Sequence, residues 1–228
     1  MRISELNWMD VEGYLKTEDR IIVVLGACEQ HGYLSLQTDT KIPLALADAA
    51  SARTNVIIAP EITVGVSPYF LSYPGTISIR SEIYIQFVAD ILSSLYQAGF
   101  RRILILNGHS GNSVVRTKLV ELANSLPELK ISWYSWWESN GVQNLAQKYH
   151  LTPEHASWME AFPFTRVADL PSGEKTGVSY TGILNAAETR AKYGDGSFGG
   201  KYQVDDAIMQ ELFDVCLLDV INLLNFER

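Results

Sequence analysis

Four residues in two short segments of this chain have the donor types of a metal site. In Gly26-Ala-Cys-Glu-Gln-His-Gly-Tyr-Leu-Ser-Leu-Gln-Thr-Asp39 a carboxylate, an imidazole and a second carboxylate stand at Glu29, His31 and Asp39. In Asn107-Gly-His-Ser-Gly-Asn112 a second imidazole stands at His109. Zinc or manganese is well served by such a mixture, and a carboxylate can bridge two closely spaced ions. If the backbone stays extended past Cys28, side chains alternate and Glu29 and His31 project to the same side. Either set alone is a weak signal, because a Glu-x-His pair also suits a capped turn and a loop histidine can simply be packed. Gly108 and Gly111 are expected to supply positive φ, letting the second loop turn sharply.

One rival chemistry uses the second segment differently. Gly108-His-Ser-Gly-Asn112 approaches the G-x-S-x-G elbow of serine hydrolases, with Ser110 as nucleophile. Asn112 stands where the tight turn needs glycine, and that reading leaves Glu29, His31 and Asp39 without a role. Cys28 reads as a small buried packing residue rather than a nucleophile.

Both segments follow runs that read as buried strands. Ile21-Ile-Val-Val-Leu-Gly26 is short, continuous and β-branched, and Ile103 to Leu106 is similar. In open α/β sheets ligands bind beyond the carboxyl ends of strands, where both polar segments lie. Further strands are expected over 55–59 and 130–134. Helices are expected from Ile42-Pro43 to about Arg53, over 81–98 with Gly99 as its stop, after 112 to about Asn124, and from about Val204 to Phe226. Strand and helix alternating at these lengths predict an α/β three-layer sandwich, its mostly parallel central sheet covered by helices on both faces. Residues 152–200, with Pro153, Pro163, Pro171 and many glycines, read as loops and short elements.

The chain has 228 residues, 47% of them hydrophobic, enough for one sizeable core, and is read as a single domain over 1–228. A net charge of -8 and the lack of any Lys/Arg run argue against nucleic acid. Two cysteines, Cys28 and Cys216, give no disulfide framework. No stretch approaches 18 uninterrupted apolar residues and the amino terminus lacks a signal pattern, so a soluble, cytoplasmic protein with no membrane partner is expected.

Taken together the motifs resemble the creatininase, or creatinine amidohydrolase, family. That family's opening motif, approximately E-Q-H-G-x-H-L-P-L-x-T-D, matches Glu29 to Asp39. Its P-G-T segment matches Tyr73-Pro-Gly-Thr-Ile-Ser-Ile79, and its N-G-H-G-G-N loop matches Asn107 to Asn112. Its H-A-G-x-x-E-T-S element matches His155-Ala-Ser-Trp-Met-Glu160, and a glycine-rich stretch is echoed by Gly194 to Gly200. The resemblance spans nearly the whole chain. It implies two divalent ions, Zn and/or Mn with Fe admissible, ligated by Glu29, His31, Asp39, His109 and Glu160, with Asp39 bridging. Some creatininases take a glutamate ligand from the N-G-H loop. Here that position is Gly111, which leaves the oxygen to Glu160.

The activity so implied is hydrolysis of a C–N bond in a cyclic amide, formamide or related small molecule by metal-activated water, with peptide, carbon–carbon and sugar-ring bonds left open. His155 is the candidate general acid and base, and Glu160 is grouped with it as catalytic. Tyr33, Trp158 and Ser110 are assigned to the substrate. Trp133, Trp136, Trp137 and Trp158 could wall a planar ligand, although core or subunit packing suits most of them better. His150 reads as surface. The opening motif is one residue short and has Tyr33-Leu34 where relatives carry a second histidine, and Phe70 replaces a histidine before P-G-T. Handling of creatinine itself is therefore not expected. Homo-oligomers, often hexamers, are implied by the resemblance. A metal-binding or assembly subunit without turnover is the alternative from another functional class.

Overall fold

The computed structural model describes residues 1–178 and 180–227. Strands β1 (Arg20–Leu25), β2 (Ile57–Ile58), β3 (Arg102–Asn107) and β4 (Lys130–Ser135) form one sheet in the order β2-β1-β3-β4, every pair parallel. Alternation along the strands divides the core into two layers. Ile22, Val24, Leu104 and Leu106 face one side of the sheet, and Ile21, Val23, Leu25, Ile103 and Ile105 face the other. A strand buried on both faces must be apolar throughout, which is why β1 and β3 read as continuous hydrophobic runs.

Helices α2 (Thr38–Thr54), α5 (Asn140–Lys148) and α7 (Asp206–Leu223) close the first layer through Leu46, Leu145 and Leu212. The second is closed by α3 (Ser81–Ala98) and α4 (Arg116–Ser125) through Val88, Leu92 and Leu119, with Val11 and Tyr14 of α1 (Trp8–Tyr14) packed beside them. This is the three-layer α/β arrangement expected from the sequence. Helix α3 ends at Gly99 in the left-handed region, φ 118, as its stop signal required.

Three boundaries differ from expectation. Helix α2 begins at Thr38, before Ile42-Pro43, which puts Asp39 in its first turn and Pro43 inside the helix. The strand expected over 55–59 shrinks to Ile57–Ile58, because Asn55 caps α2 in the left-handed region at φ 57 and its N–H donates to the Ser51 carbonyl at 2.8 Å. The helix after β3 opens as a 3₁₀ segment, Ser110–Val115, before turning α-helical at Arg116. The irregular region 152–200 contains α6 (Ala186–Tyr193), whose amino end has a reciprocal cap between Asn185 and Glu188. The two-residue strand β5 (Glu174–Lys175) pairs antiparallel with β6 (Gly200–Lys201).

Charges at the two ends of the sheet are treated differently. At the amino ends of β1 and β3, Glu18 accepts from Arg20 Nε at 2.9 Å and from Arg102 Nη2 at 3.1 Å, so acid and base are matched. At the carboxyl ends, acids and imidazoles gather with no Lys or Arg in contact among the described residues. Among those residues no helix is long and apolar enough to cross a membrane.

Candidate metal centre

Each segment of the cluster is held by backbone contacts that free its side chains. After β1 the chain runs from Gly26 to Glu29, whose N–H donates to Leu36 O at 3.0 Å, while Cys28 O accepts from Ile77 N at 2.8 Å. A turn follows, closed by Leu34 N donating to His31 O at 2.9 Å, and returns the chain to the first turn of α2 and Asp39. His109 follows β3 directly. Glu160 lies on a short 3₁₀ turn, Trp158–Glu160, where the Ala156 N–H donates to its Oε2 at 2.6 Å and leaves Oε1 facing the cluster.

Glu29, His31, Asp39, His109 and Glu160, drawn from three separate parts of the chain, are all buried. His31 Nε2 is 3.0 Å from Asp39 Oδ1 and 3.7 Å from Glu160 Oε1. His109 Nδ1 is 3.1 Å from Asp39 Oδ2 and 3.4 Å from Glu29 Oε1. Two donor triads result, Glu29/Asp39/His109 and His31/Asp39/Glu160, each with its ligand atoms within 4.8 Å of one another. A third combination, Glu29/His31/His155, meets the same distance.

The arrangement fits divalent cations better than it fits its own residues. Glu29 Oε2, His31 Nε2 and Asp39 Oδ2 are buried without a hydrogen-bond partner among the described residues, and buried polar atoms are rarely left so. Burial opposes charge on His31, but Asp39 and Glu160 outweigh it and hold the imidazole pKa well above its usual value. The same contest at His109 is decided by Glu29 and Asp39. Burial also works against the Asp39 carboxylate, yet His31 and His109 hold its pKa far below the usual range.

His155 differs. Burial, and then the neighbouring His31, depress its pKa to about 4, so the imidazole is neutral at neutral pH. Phe70 stacks on it at 4.8 Å and 11°, Phe198 lies 4.9 Å away, and its Nδ1 is 4.0 Å from Glu29 Oε1. Gln30 holds the other nitrogen. Its Nε2 lies 2.9 Å from His155 Nε2 and donates to Gly196 O at 3.1 Å, while its Oε1 accepts from Gly32 N at 3.1 Å. These two backbone bonds fix the orientation of the amide. A Cβ at Gly196 would stand 1.7 Å from Gln30 Oε1, so the glycine-rich stretch is shaped around this glutamine. Gln30 stood in plain view inside the opening motif, but nothing local in the sequence paired it with a histidine 125 residues away.

Other expected site residues are dispersed. Ser110 lines the cavity above the cluster, but among the described residues its hydroxyl has no imidazole partner. His109 Nε2 is occupied by Val66 O at 2.8 Å and Ser67 Oγ at 3.2 Å. Trp158 is not on the cavity. It is wholly buried in the layer beneath, its Nε1 donating to Thr152 O at 2.9 Å, and Trp137 lines the cavity instead. Tyr33 is also off the cavity, exposed and edge-on to Tyr202 at 5.7 Å. Cys28 is buried, with Sγ 3.4 Å from Gly75 O, and His150 is exposed.

Gly108 and Gly111 do not adopt positive φ. They are glycine for lack of space: a Cβ at Gly108 would meet Asp39 O at 1.8 Å, and one at Gly111 would meet Val66 O at 2.0 Å and His109 Nε2 at 2.5 Å. No glutamate side chain fits at 111 without displacing that backbone.

Comparison with known proteins identifies what this chain is similar to. The family described as "Creatininase: Creatinine amidohydrolase" matches residues 4–224. A creatinine amidohydrolase of Pseudomonas putida is 27% identical over 165 residues, 67% of this chain and 63% of that protein. A 3-dehydro-scyllo-inosose hydrolase of Thermotoga maritima is 28% identical over 126 residues, covering 53% and 40%. A mycofactocin precursor peptide peptidase of Mycobacterium tuberculosis is 34% identical over 117 residues, covering 46% of each. The chain thus spans less than two thirds of the length of each of these relatives. Among solved structures, "Creatininase Mn" superposes with a TM-score of 0.77 at 23% identity, and a mutant creatininase of "Zn-Zn type" with 0.81 at 20%. Each comparison covers 97% of this chain and 96% of the other, and shows a common fold.

Proposed function

The chain belongs to the creatininase family, and on that premise we propose that it is a hydrolase of a C–N bond in a cyclic amide, formamide or related small molecule, working at a two-ion centre. Glu29, Asp39 and His109 would hold one ion, and His31, Asp39 and Glu160 the other. The observation that carries this reading is the division of Asp39, whose Oδ1 faces His31 and whose Oδ2 faces His109. One carboxylate presenting its two oxygens to two separate donor sets is the geometry of a bridging ligand. Zinc or manganese is the favoured occupant, given the donor set and the Mn and Zn forms of the similar structures.

When bound, such ions polarise a carbonyl and bring a water molecule towards ionisation near neutral pH. The protein's own groups do the rest. Buried carboxylates orient the imidazoles, and the Ala156 N–H fixes Glu160 with one oxygen free. His155, neutral and held between Phe70 and Phe198, can accept a proton from attacking water and return it to the leaving nitrogen. Gln30 sets the plane of that ring. Trp137 and Ser110, on the cavity wall, border the substrate.

We also take residues 1–228 as one domain and the protein as a cytoplasmic homo-oligomer. Exposed apolar side chains such as Trp8 and Ile183 suit subunit contacts.

The test is metal analysis joined to a screen of cyclic amides and formamides before and after chelation. Chelator is expected to abolish turnover and zinc or manganese to restore it. Turnover indifferent to chelation would overturn the reading.

A further inference from the structure

The cavity above the cluster encloses about 700 Å³, a size that accommodates a drug-sized ligand. Its lining is unusual in charge. Apart from the cluster itself, the charged residue on its wall is Glu154; among the described residues no Lys or Arg lines it, Lys192 lying behind the wall with its Nζ 4.6 Å from the ring centroid of the lining Tyr180. The remaining wall is largely aromatic and aliphatic. Tyr193 stacks on Phe198 at 4.1 Å, Phe198 lies 6.0 Å from Phe70, and Trp137, Met159 and Val114 extend the apolar surface.

These facts bear on the part of the substrate that does not react. A small polar amide would leave most of this volume to water held against a wall that is apolar over its larger part, with Ser67, Ser81, Ser110 and Thr189 among its polar members. A carboxylate elsewhere on the substrate, away from the metal centre, would lose hydration and find no side-chain cation on the wall to replace it, with Glu154 as its charged neighbour there. An aromatic or branched aliphatic group would instead bury its surface against Phe198 and Trp137. We propose that the substrate carries a bulky, uncharged, mainly apolar substituent on its scissile amide, and that the cavity discriminates against anionic relatives of it. The proposal rests on the hydrolase reading for the chemistry at the carbonyl, but concerns a separate part of the site.

Three probes separate the two readings: 3-phenylpropionohydroxamate, propionohydroxamate and succinate monohydroxamate, titrated calorimetrically into zinc-loaded protein, with the corresponding amides titrated into chelated protein. The phenyl probe is expected to bind about tenfold or more tighter than the ethyl probe, and the carboxylate probe weakest. Trp137→Ala should shrink the phenyl-to-ethyl ratio. Val114→Lys, at a wall position 41% exposed and therefore tolerant of the change, should raise affinity for the carboxylate probe about fivefold. Equal affinity for all three probes, a preference for the carboxylate in the unaltered protein, or no response to Val114→Lys would overturn the proposal. Hydroxamate binding that vanishes with chelator would leave the metal centre standing in those cases. A phenyl preference shared by hydroxamates and amides, indifferent to metal, would uphold the cavity inference while removing the metal centre.

Discussion

The carbonyl oxygen of Asp39 occupies the space that a side chain at position 108 would need, since a Cβ on Gly108 would stand 1.8 Å from it. That carbonyl has no donor four residues along its helix, because the residue there is Pro43, which lacks an N–H. The loop after β3 therefore lies directly against the first turn of α2, and His109 reaches Asp39. Gly108→Ala is expected to cost about 2 kcal/mol or more through overpacking against backbone. It should lower Tm and metal content together. Unchanged values of both would show that the contact can relax.

Asp39→Ala removes the oxygens that face both imidazoles. Both ions are expected to be lost, with turnover falling by on the order of a thousandfold or more, since metal-activated water is lost with them. Metal analysis and kinetics on one preparation test this. Retention of both ions would rule out a bridging role for Asp39.

Without metal, His31 and His109 are held protonated above their usual pKa by Glu29, Asp39 and Glu160. Ligation needs both imidazoles neutral, so metal uptake should release protons and weaken as pH falls. Calorimetry in buffers of different ionisation enthalpy reads the number released. The same raised values stabilise the metal-free fold. That stability is fully present below the unfolded histidine pKa of about 6.5 and is lost as pH rises through the folded values. Metal-free protein should thus lose Tm on the alkaline side while metal affinity rises, and metal uptake without proton release would contradict the assignment.

His155→Gln removes the proton carrier but none of the proposed ligands. Both ions should remain, with kcat reduced by about a hundredfold or more. Gln30→Leu acts through His155 and should lower kcat less, about tenfold, with metal content unchanged. If Gln30→Leu instead emptied the metal site, its role would be in the ligand shell rather than in positioning the ring.

Ser110→Ala tests the rival nucleophile. His109 Nε2 is committed to Val66 O and Ser67 Oγ, so the neighbouring imidazole does not serve Ser110 as a base. Turnover is expected to stay within about threefold of the unaltered protein, removal of an essential nucleophile costing orders of magnitude more.

Much of the sheet was legible in the chain because strand alternation is a local property. Ile21 to Leu25 and Ile103 to Leu106 read as strands covered on both faces, as they are, and polar residues following such strands fall at the carboxyl edge of the sheet. The order of motifs likewise singled out Glu29, His31, Asp39, His109, His155 and Glu160, which the fold brings into one cluster. Local pattern misjudged Gly108 and Gly111, because a tight contact with a distant backbone leaves no mark on neighbouring residues.

What the tertiary structure decided was how distant segments face one another. Which oxygen of Asp39 meets which imidazole depends on how α2 packs against the loop after β3. Gln30 and His155 meet only because the 150–165 loop folds back over the end of β1. Trp158 and Trp137 are similar residues in the chain, yet one is sealed in the core and the other borders the cavity, because layer packing rather than residue type sets what each side chain touches. The amino-acid order determined the donor types and the strand ends that carry them. The docking of layers, whose contacts span more than a hundred residues, decided their pairing and the apolar space above them.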